Sequence, residues 1–257
     1  MNICYFGTYE EGYSRNEIMI KSLEALGHTV QECHVSFWRG MTDKTGTMSG
    51  KINRARILFR ILFIYPRLFV KYIFTRQHDL VFVGYFGHLD MIFLRLFNLI
   101  LFRQKKIVFD VFLSLYDSMI VDRKMDSGNS MLARLAKWLD KTACRLADVV
   151  ILDTYRHIEF FHKVFDVPRE KMFRVYASAD EDVFYPRDAK KENTSFRVLF
   201  YGKYIPLHGI EHIVDAAELL ATDPEIRFTL IGRGQLYPEI RRIVADRRLP
   251  NIDFIEW

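Results

Sequence analysis

Residues 196–235 have a pattern that constrains the fold more than any other part of the sequence. Phe196–Gly202 is apolar, aromatic and β-branched, which predicts a buried strand. After a short loop, Ile210–Ala221 places apolar side chains at helical spacing, and Pro224 ends the helix because proline disfavours helical geometry in the residue before it. Ile226–Gly232 predicts a second buried strand. This strand–helix–strand order is typical of a parallel sheet, which binds ligands at the carboxyl ends of its strands.

The same alternation of short apolar strands and amphipathic helices extends over the rest of the chain. Strands are predicted from Asn2–Gly7 onward, and they are apolar throughout, which indicates parallel sheets covered by helices. The polar segment 186–195, PRDAKKENTS, is typical of a linker. The sequence therefore predicts an α/β fold of two Rossmann-like, doubly wound parallel-sheet domains.

The composition is that of a folded intracellular protein. The chain has 257 residues and 50% hydrophobic content, enough for one large or two modest domains. Cys4, Cys33 and Cys144 are far apart and form no metal or redox spacing, so we expect buried thiols in a reducing cytoplasm. The N-terminus lacks a basic region before an apolar core, so no signal peptide is expected.

The positive charge is concentrated in one region. Residues 44–106 hold twelve Lys or Arg residues and only the acids Asp79 and Asp90, whereas the whole chain has a net charge of +5. A local excess of this kind favours a surface partner over general nucleic-acid binding, and no nucleic-acid partner is expected.

Within this region, Arg54–Arg76 combines aromatic and aliphatic residues with basic ones. Charged residues and a proline interrupt its apolar run, so a transmembrane span is not predicted. At about 100° per residue, four basic side chains fall within about 60° of one another on a helix. They are Arg56, Arg60, Arg67 and Lys71. This pattern predicts a helix at an anionic membrane surface, and a core helix with a solvated basic edge is the alternative.

One segment resembles a known family. GKYIPLHGIEHIVDAAELL, followed by FTLIGRGQ, is similar to the start of the C-terminal domain in GT-B-fold retaining glycosyltransferases of family 4. The family places basic residues here on the diphosphate of a nucleotide sugar. The resemblance therefore implies a donor-diphosphate site at Gly202, Lys203, His208 and Gly209. His208 stands where the family usually has lysine, and a histidine in water is mostly neutral at pH 7.

The resemblance covers nearly the whole chain. LADVVILDT, a helix, and VPREKMFRVYASADEDVFYP are similar to the family's approach to its domain linker. The resemblance implies an acceptor-side domain over residues 1–187 and the start of a nucleotide-sugar-binding domain over residues 194–257. The family's Glu-x7-Glu element, which holds the donor ribose and sugar, has no counterpart here. We therefore expect the second domain to be truncated and this chain alone not to transfer sugar.

The expected catalytic residues lie at the ends of predicted strands. The family often has a histidine after the strand that is Ile107–Val111 here, whereas this sequence offers Asp110, Ser114, Tyr116 and Asp117. Asp117 or Asp110 is expected to orient an acceptor hydroxyl, with a helix cap or a turn as the alternative for either, and Tyr116 is expected to lie near the acceptor or donor. His88 and Asp90 are placed in the loop after a neighbouring strand, where a structural histidine is the alternative. The first strand-to-helix loop, from Gly7 to Gly12, is predicted to lie near the ligands or to be a tight turn.

These patterns lead to two hypotheses about function. The first is a glycosyltransferase that moves a sugar from a nucleotide sugar to a lipid-linked or polysaccharide acceptor at the cytoplasmic membrane face, with no metal or other cofactor. The second is a non-catalytic remnant that acts as a binding or scaffolding domain. A Rossmann oxidoreductase is excluded because the glycine fingerprint of dinucleotide binding is missing.

Overall fold

The computed structural model describes residues 1–37, 51–123, 126–186 and 196–256, with only the backbone described for residues 51–58. The chain divides into two compact units, Met1–Ser118 with Asp126–Tyr185, and Met119–Met125 with Pro186–Trp257. Most of the predicted linker lies outside the described residues, as do the predicted domain ends at 187 and 194, so those boundaries stay predictions.

The first unit is built on a parallel sheet of six strands in the order β2-β1-β3-β4-β5-β6. The strands are β1 (Asn2–Gly7), β2 (Thr29–His34), β3 (Leu80–Val83), β4 (Lys106–Phe112), β5 (Val149–Leu152) and β6 (Met172–Arg174). Strands β1, β3, β4 and β5 are apolar because both sheet faces are covered, as the sequence predicts, whereas the edge strand β2 is polar and largely exposed.

Helices cover both faces of this sheet. They are α1 (Ser14–Ala25), α2 (Lys51–Ile73), α3 (His88–Ile100), α4 (Met131–Leu146) and α5 (Tyr155–Phe165), with a short π-helical segment at Asp117–Asp122. Helix α1 packs on one face with Tyr5 and Phe82, whereas α2 to α5 pack on the other with Phe6 and Phe109. The three cysteines are buried free thiols, as predicted.

One helix boundary changes the position of predicted site residues. The sequence predicts that the helix after β3 begins at Met91, but α3 begins at His88. Gly87 is its N-cap residue, and the amide of Met91 donates to the Gly87 carbonyl. His88 and Asp90 therefore lie in the first helical turn, where an acidic side chain is favoured by the helix dipole, and the loop position predicted for them is wrong.

The second unit contains a parallel sheet in the order β7-β8-β9. Its elements are β7 (Phe196–Tyr201), α6 (Ile210–Leu219), β8 (Ile226–Ile231), α7 (Tyr237–Asp246) and β9 (Ile252–Ile255). Both helices pack on one face, against Val198, Phe228 and Leu230.

The prediction of a fully buried first strand in the second unit is wrong. β7 is an edge strand, and Leu199 and Tyr201 on its opposite face are exposed. The apolar composition of β7 predicts a strand correctly, but it does not distinguish a central strand from an edge strand with one uncovered face.

Candidate active site

The strands of the first unit end at one edge of the sheet, and three buried carboxylates lie near this edge. β1 ends at Gly7, β3 at Val83 and β4 at Phe112, so the loops that follow them lie side by side. Asp90, Asp110 and Asp140 are each almost completely inaccessible to solvent. A buried charge requires partners, and the partners of these three groups show what each carboxylate holds in place.

Asp90 anchors the loop after β1. Its carboxylate accepts hydrogen bonds from the Thr8 amide at 2.8 Å, from the Thr8 hydroxyl at 3.0 Å and from the Tyr65 hydroxyl at 2.8 Å. Burial raises the pKa of Asp90, although the Thr8 amide and the Tyr65 hydroxyl oppose the shift. A Cβ atom on Gly7 would lie 2.7 Å from the Asp90 carboxylate, so glycine is required there. Gly12, in the same loop, has φ +79°.

Asp110 forms a buried ion pair with Arg15. The Arg15 Nε and Nη2 atoms donate to its two oxygens at 2.8 and 3.0 Å, and Arg15 also donates to the carbonyls of Val175 and Tyr176. Burial raises the pKa of Asp110, whereas Arg15 opposes the shift. With both oxygens engaged, these contacts favour a positioning role for Asp110 over direct contact with an acceptor.

Asp140, which the sequence does not single out, fixes the loop after β4. One oxygen accepts from the Leu115 amide at 3.0 Å, and the other accepts from the Tyr116 amide at 3.0 Å and the Ser114 hydroxyl at 2.8 Å. The Ser114 hydroxyl in turn accepts from the Asp117 amide at 3.0 Å. A signal was present in the sequence, because Asp140 shares a helix face with Ala136 and Ala143, and a charge on an apolar face requires partners.

His88 is buried beside this network. It is 2% exposed, and its ring lies edge-on to Phe86 and Phe109. Its Nε2 atom is 3.0 Å from the Asp140 carboxylate, but the angle is unsuitable for a hydrogen bond, and neither ring nitrogen forms one with any residue that the structure describes. His88 and Asp140, which are distant in sequence, are thus brought together below the loop that carries Tyr116 and Asp117.

Tyr116 and Asp117, which the sequence places after β4, are both partly exposed. The Tyr116 ring lies under the Lys137 ammonium, 4.3 Å from its centroid, and the Asp117 amide is held by Ser114. The geometry therefore places a phenol and a carboxylate on a loop that is fixed by buried hydrogen bonds.

In the second unit, the loop between β7 and α6 has the features of an anion site. Gly202 ends the strand, Lys203 is exposed, and Gly209 is the N-cap of α6 with φ +56°. No side chain forms a capping hydrogen bond at the N-terminus of α6, and free amides at a helix N-terminus favour an anion. The His208 Nδ1 atom lies 2.6 Å from the Lys203 carbonyl, which only accepts, so Nδ1 carries hydrogen.

This loop is held by close contact with the loop after β8. A Cβ atom on Gly232 would lie 1.9 Å from the Gly202 carbonyl oxygen, and one on Gly234 would lie 2.7 Å from the backbone of Tyr204. The Tyr204 amide donates to the Arg233 carbonyl, and the Leu236 amide donates to the Tyr204 carbonyl. The two glycines thus permit a backbone-to-backbone approach that fixes the position of Lys203.

Among the described residues, no three histidine, cysteine, aspartate or glutamate side chains group as metal ligands would. None of the helices in the described part of the chain is both long enough and apolar enough to cross a membrane.

The two parallel-sheet units have the GT-B fold, the architecture of a large class of glycosyltransferases. At 12% identity, HepE from Anabaena in complex with UDP-glucose superposes with a TM-score of 0.60, over 100% of this chain and 69% of that one. The lipopolysaccharide outer core galactosyltransferase WaaB superposes with a TM-score of 0.55 at 11% identity, over 100% of this chain and 68% of that one.

Sequence comparison also finds similarity to a glycosyltransferase. The chain is 25% identical over 127 residues to the alpha-D-kanosaminyltransferase of Streptomyces kanamyceticus. The match covers 45% of this chain and 32% of that protein, so it spans about a third of the length of the curated relative. No family model matches the chain.

Proposed function

We propose that this chain supplies the acceptor side and the donor-diphosphate loop of a glycosyltransferase that takes its sugar from a nucleotide sugar. The observation that carries the proposal is the loop Gly202–Gly209, where an exposed lysine and an uncapped helix N-terminus converge at the end of a parallel strand. The neighbours that share its fold include a protein crystallised with UDP-glucose, which supports a nucleotide sugar as donor.

The donor loop is suited to the leaving group of sugar transfer. Departure of the nucleoside diphosphate places negative charge on the phosphate oxygens while the sugar becomes oxocarbenium-like. Lys203 and the first amides of α6 stabilise this charge, because donors fixed before the reaction need no reorganisation. His208 adds a donor at Nε2 only when its ring is protonated, since Nδ1 already faces the Lys203 carbonyl.

The acceptor is proposed to bind at the loop after β4. Asp117 would orient the attacking hydroxyl of a saccharide or lipid-linked acceptor, and Tyr116 would contact its sugar. The buried groups Asp90, Asp110 and Asp140 hold the surrounding loops in position, and His88 packs beside Asp140. This arrangement separates the residues that would touch the acceptor from those that position them.

The site of action is proposed to be the cytoplasmic face of a membrane. Helix α2 exposes an apolar stripe between Phe59 and Ile73, and Arg67 is exposed at its edge. The stripe consists of Phe59, Leu62, Phe63, Val70 and Ile73. Apolar side chains flanked by cations suit a helix that lies on an anionic bilayer.

Not all of the basic residues predicted for this surface have the same role. The Arg60 guanidinium donates to the Phe37 carbonyl at 2.6 Å, and the Lys71 ammonium donates to the His34 carbonyl at 3.0 Å. Lys71 therefore also ties α2 to the end of β2, and Arg60 ties it to the segment that follows β2. The Arg56 side chain lies outside the described residues.

Replacing Lys203 with alanine tests the proposed donor site. We expect binding of UDP-glucose, measured by isothermal titration calorimetry, to weaken ~10- to 150-fold, because a hydrogen bond to a charged group contributes ~1.5–3 kcal/mol. Arg242→Ala removes another exposed cation from the same unit and should leave the affinity unchanged. If the Lys203→Ala variant bound UDP-glucose as tightly as the parent chain and the Arg242→Ala variant, Lys203 would not be part of the donor site. If the parent chain bound no UDP-glucose, the scaffolding alternative would be favoured.

A further inference from the structure

The turn after α3 holds an aromatic residue in an unfavourable position. Phe102 is 92% exposed, and its φ of +52° lies in the left-handed region that suits glycine. A bulky residue with this conformation costs free energy, and an exposed ring gains little from packing. Folding alone therefore does not explain a phenylalanine here, and such an outlier suggests a function.

Phe102 belongs to a larger apolar surface. Leu96, Leu99 and Ile100 at the end of α3 are exposed, and Phe74, directly after α2, is 80% exposed. The two helices run side by side in the same direction, as shown by the pairs Tyr65–Phe93 at 3.7 Å and Phe69–Phe97 at 4.8 Å between ring centroids. Because both cover the same sheet face, their outward sides form one surface.

The turn is fixed against the end of α2. The Arg103 guanidinium donates to the carbonyls of Tyr72 at 2.9 Å and Ile73 at 3.2 Å, and it lies over the Tyr72 ring. The Tyr72 hydroxyl donates to the Asn98 side chain at 2.7 Å. These hydrogen bonds therefore fix the positions of the two backbone segments that carry Phe102 and Phe74.

The charges around this surface indicate what it contacts. Residues 60–106 contain eight Lys or Arg residues and two acids. Of these acids, Asp90 is buried, and Asp79 accepts a hydrogen bond from the Asn2 amide. Asp148, from outside this range, pairs with Arg95 and Lys106 and leaves an excess of basic residues. Exposed aromatic and aliphatic side chains with an excess of positive charge complement anionic headgroups above acyl chains.

We propose that the turn after α3 is a membrane-insertion point, with Phe102, Leu99 and Phe74 entering the interface of an anionic bilayer. This rests on the proposed membrane-face function and deepens it, because it names residues on a second helix that the charge pattern of α2 does not identify. The strained conformation of Phe102 is retained because its ring is buried in lipid when the protein is bound.

The test compares variants of the full chain in vesicle co-sedimentation, with phosphatidylcholine vesicles that contain or lack 30 mol% phosphatidylglycerol. Phe102→Gly is the key variant, because glycine suits the left-handed backbone and removes the ring. We expect its melting temperature to be equal to or above that of the parent and its partitioning to anionic vesicles to fall about tenfold. Leu99→Ser and Phe74→Ser should also reduce partitioning.

Leu26→Ser is the matched control, because Leu26 is 73% exposed and lies after α1, on the opposite side of the sheet. Equal partitioning of Phe102→Gly and the parent would overturn the proposal, as would no binding by the parent. A change of sedimentation coefficient in Phe102→Gly without a change in vesicle binding would identify a protein interface instead. Vesicle binding is measured without a nucleotide sugar. The result therefore does not depend on donor binding or sugar transfer, and the two proposals can fail separately.

Discussion

Replacing Arg15 with methionine is expected to lower the free energy of unfolding by about 3–5 kcal/mol, measured by urea denaturation at pH 7. The variant keeps much of the side-chain volume but leaves the Asp110 carboxylate, which is 0% exposed, without its cation. Breaking a buried pair on one side is costly because an uncompensated charge remains. The carbonyls of Val175 and Tyr176 also lose their donor.

Two controls distinguish the ion pair from loss of packing. The double variant with Asp110→Asn should recover part of the stability, because no unpaired charge remains. The loss caused by Arg15→Met should be smaller at pH 4 than at pH 7, because the pKa of Asp110 is already raised and protonation relieves the unpaired charge. A loss that is independent of pH and unchanged in the double variant would contradict this account.

Replacing Asp140 with asparagine is expected to have the second large effect, a decrease of about 3–5 kcal/mol in the free energy of unfolding. Each oxygen of Asp140 faces a backbone N–H, that of Leu115 or that of Tyr116. An asparagine turns its NH2 group toward one of them and also loses the charge, and hydrogen bonds to a charged group contribute ~1.5–3 kcal/mol each. The amide of Leu115 or Tyr116 should also exchange faster with solvent.

Asp90→Asn is the matched comparison. Only one Asp90 oxygen faces a backbone N–H, that of Thr8, and the other is contacted by the hydroxyls of Thr8 and Tyr65, which can rotate to accept a hydrogen bond. We therefore expect a loss of about 1 kcal/mol or less. If Asp140→Asn and Asp90→Asn lowered the free energy of unfolding equally, the number of backbone N–H groups that face each carboxylate would not determine the cost of the substitution.

The sequence predicts the parallel strands and their order along the chain because each depends on local composition. Examples are the apolar sequences of β4 and β8 and the helical spacing of apolar residues in α6. The strand end and helix start that flank Gly202, Lys203, His208 and Gly209 are visible in the sequence in the same way, but their role at a donor diphosphate comes from the resemblance to family 4 and stays a prediction.

Contacts between distant residues were not predictable in this way. Asp110 was expected near an acceptor, but its partner Arg15 lies 95 residues away in the sequence and becomes adjacent only when α1 packs on the sheet. Asp140 was missed for the same reason, since its partners lie 24 to 26 residues before it. The conformation of Phe102 is set by the turn and has no signature in composition.

The central claim is that the loop Gly202–Gly209 binds the diphosphate of a nucleotide sugar. Amide hydrogen exchange of the full chain with and without UDP-glucose tests it most directly. The account predicts slower exchange at Lys203, at Gly209 and in the first turn of α6, with no such change at the uncovered face of β7 around Leu199. Unchanged exchange at a saturating concentration, or protection confined to the first unit, would contradict it.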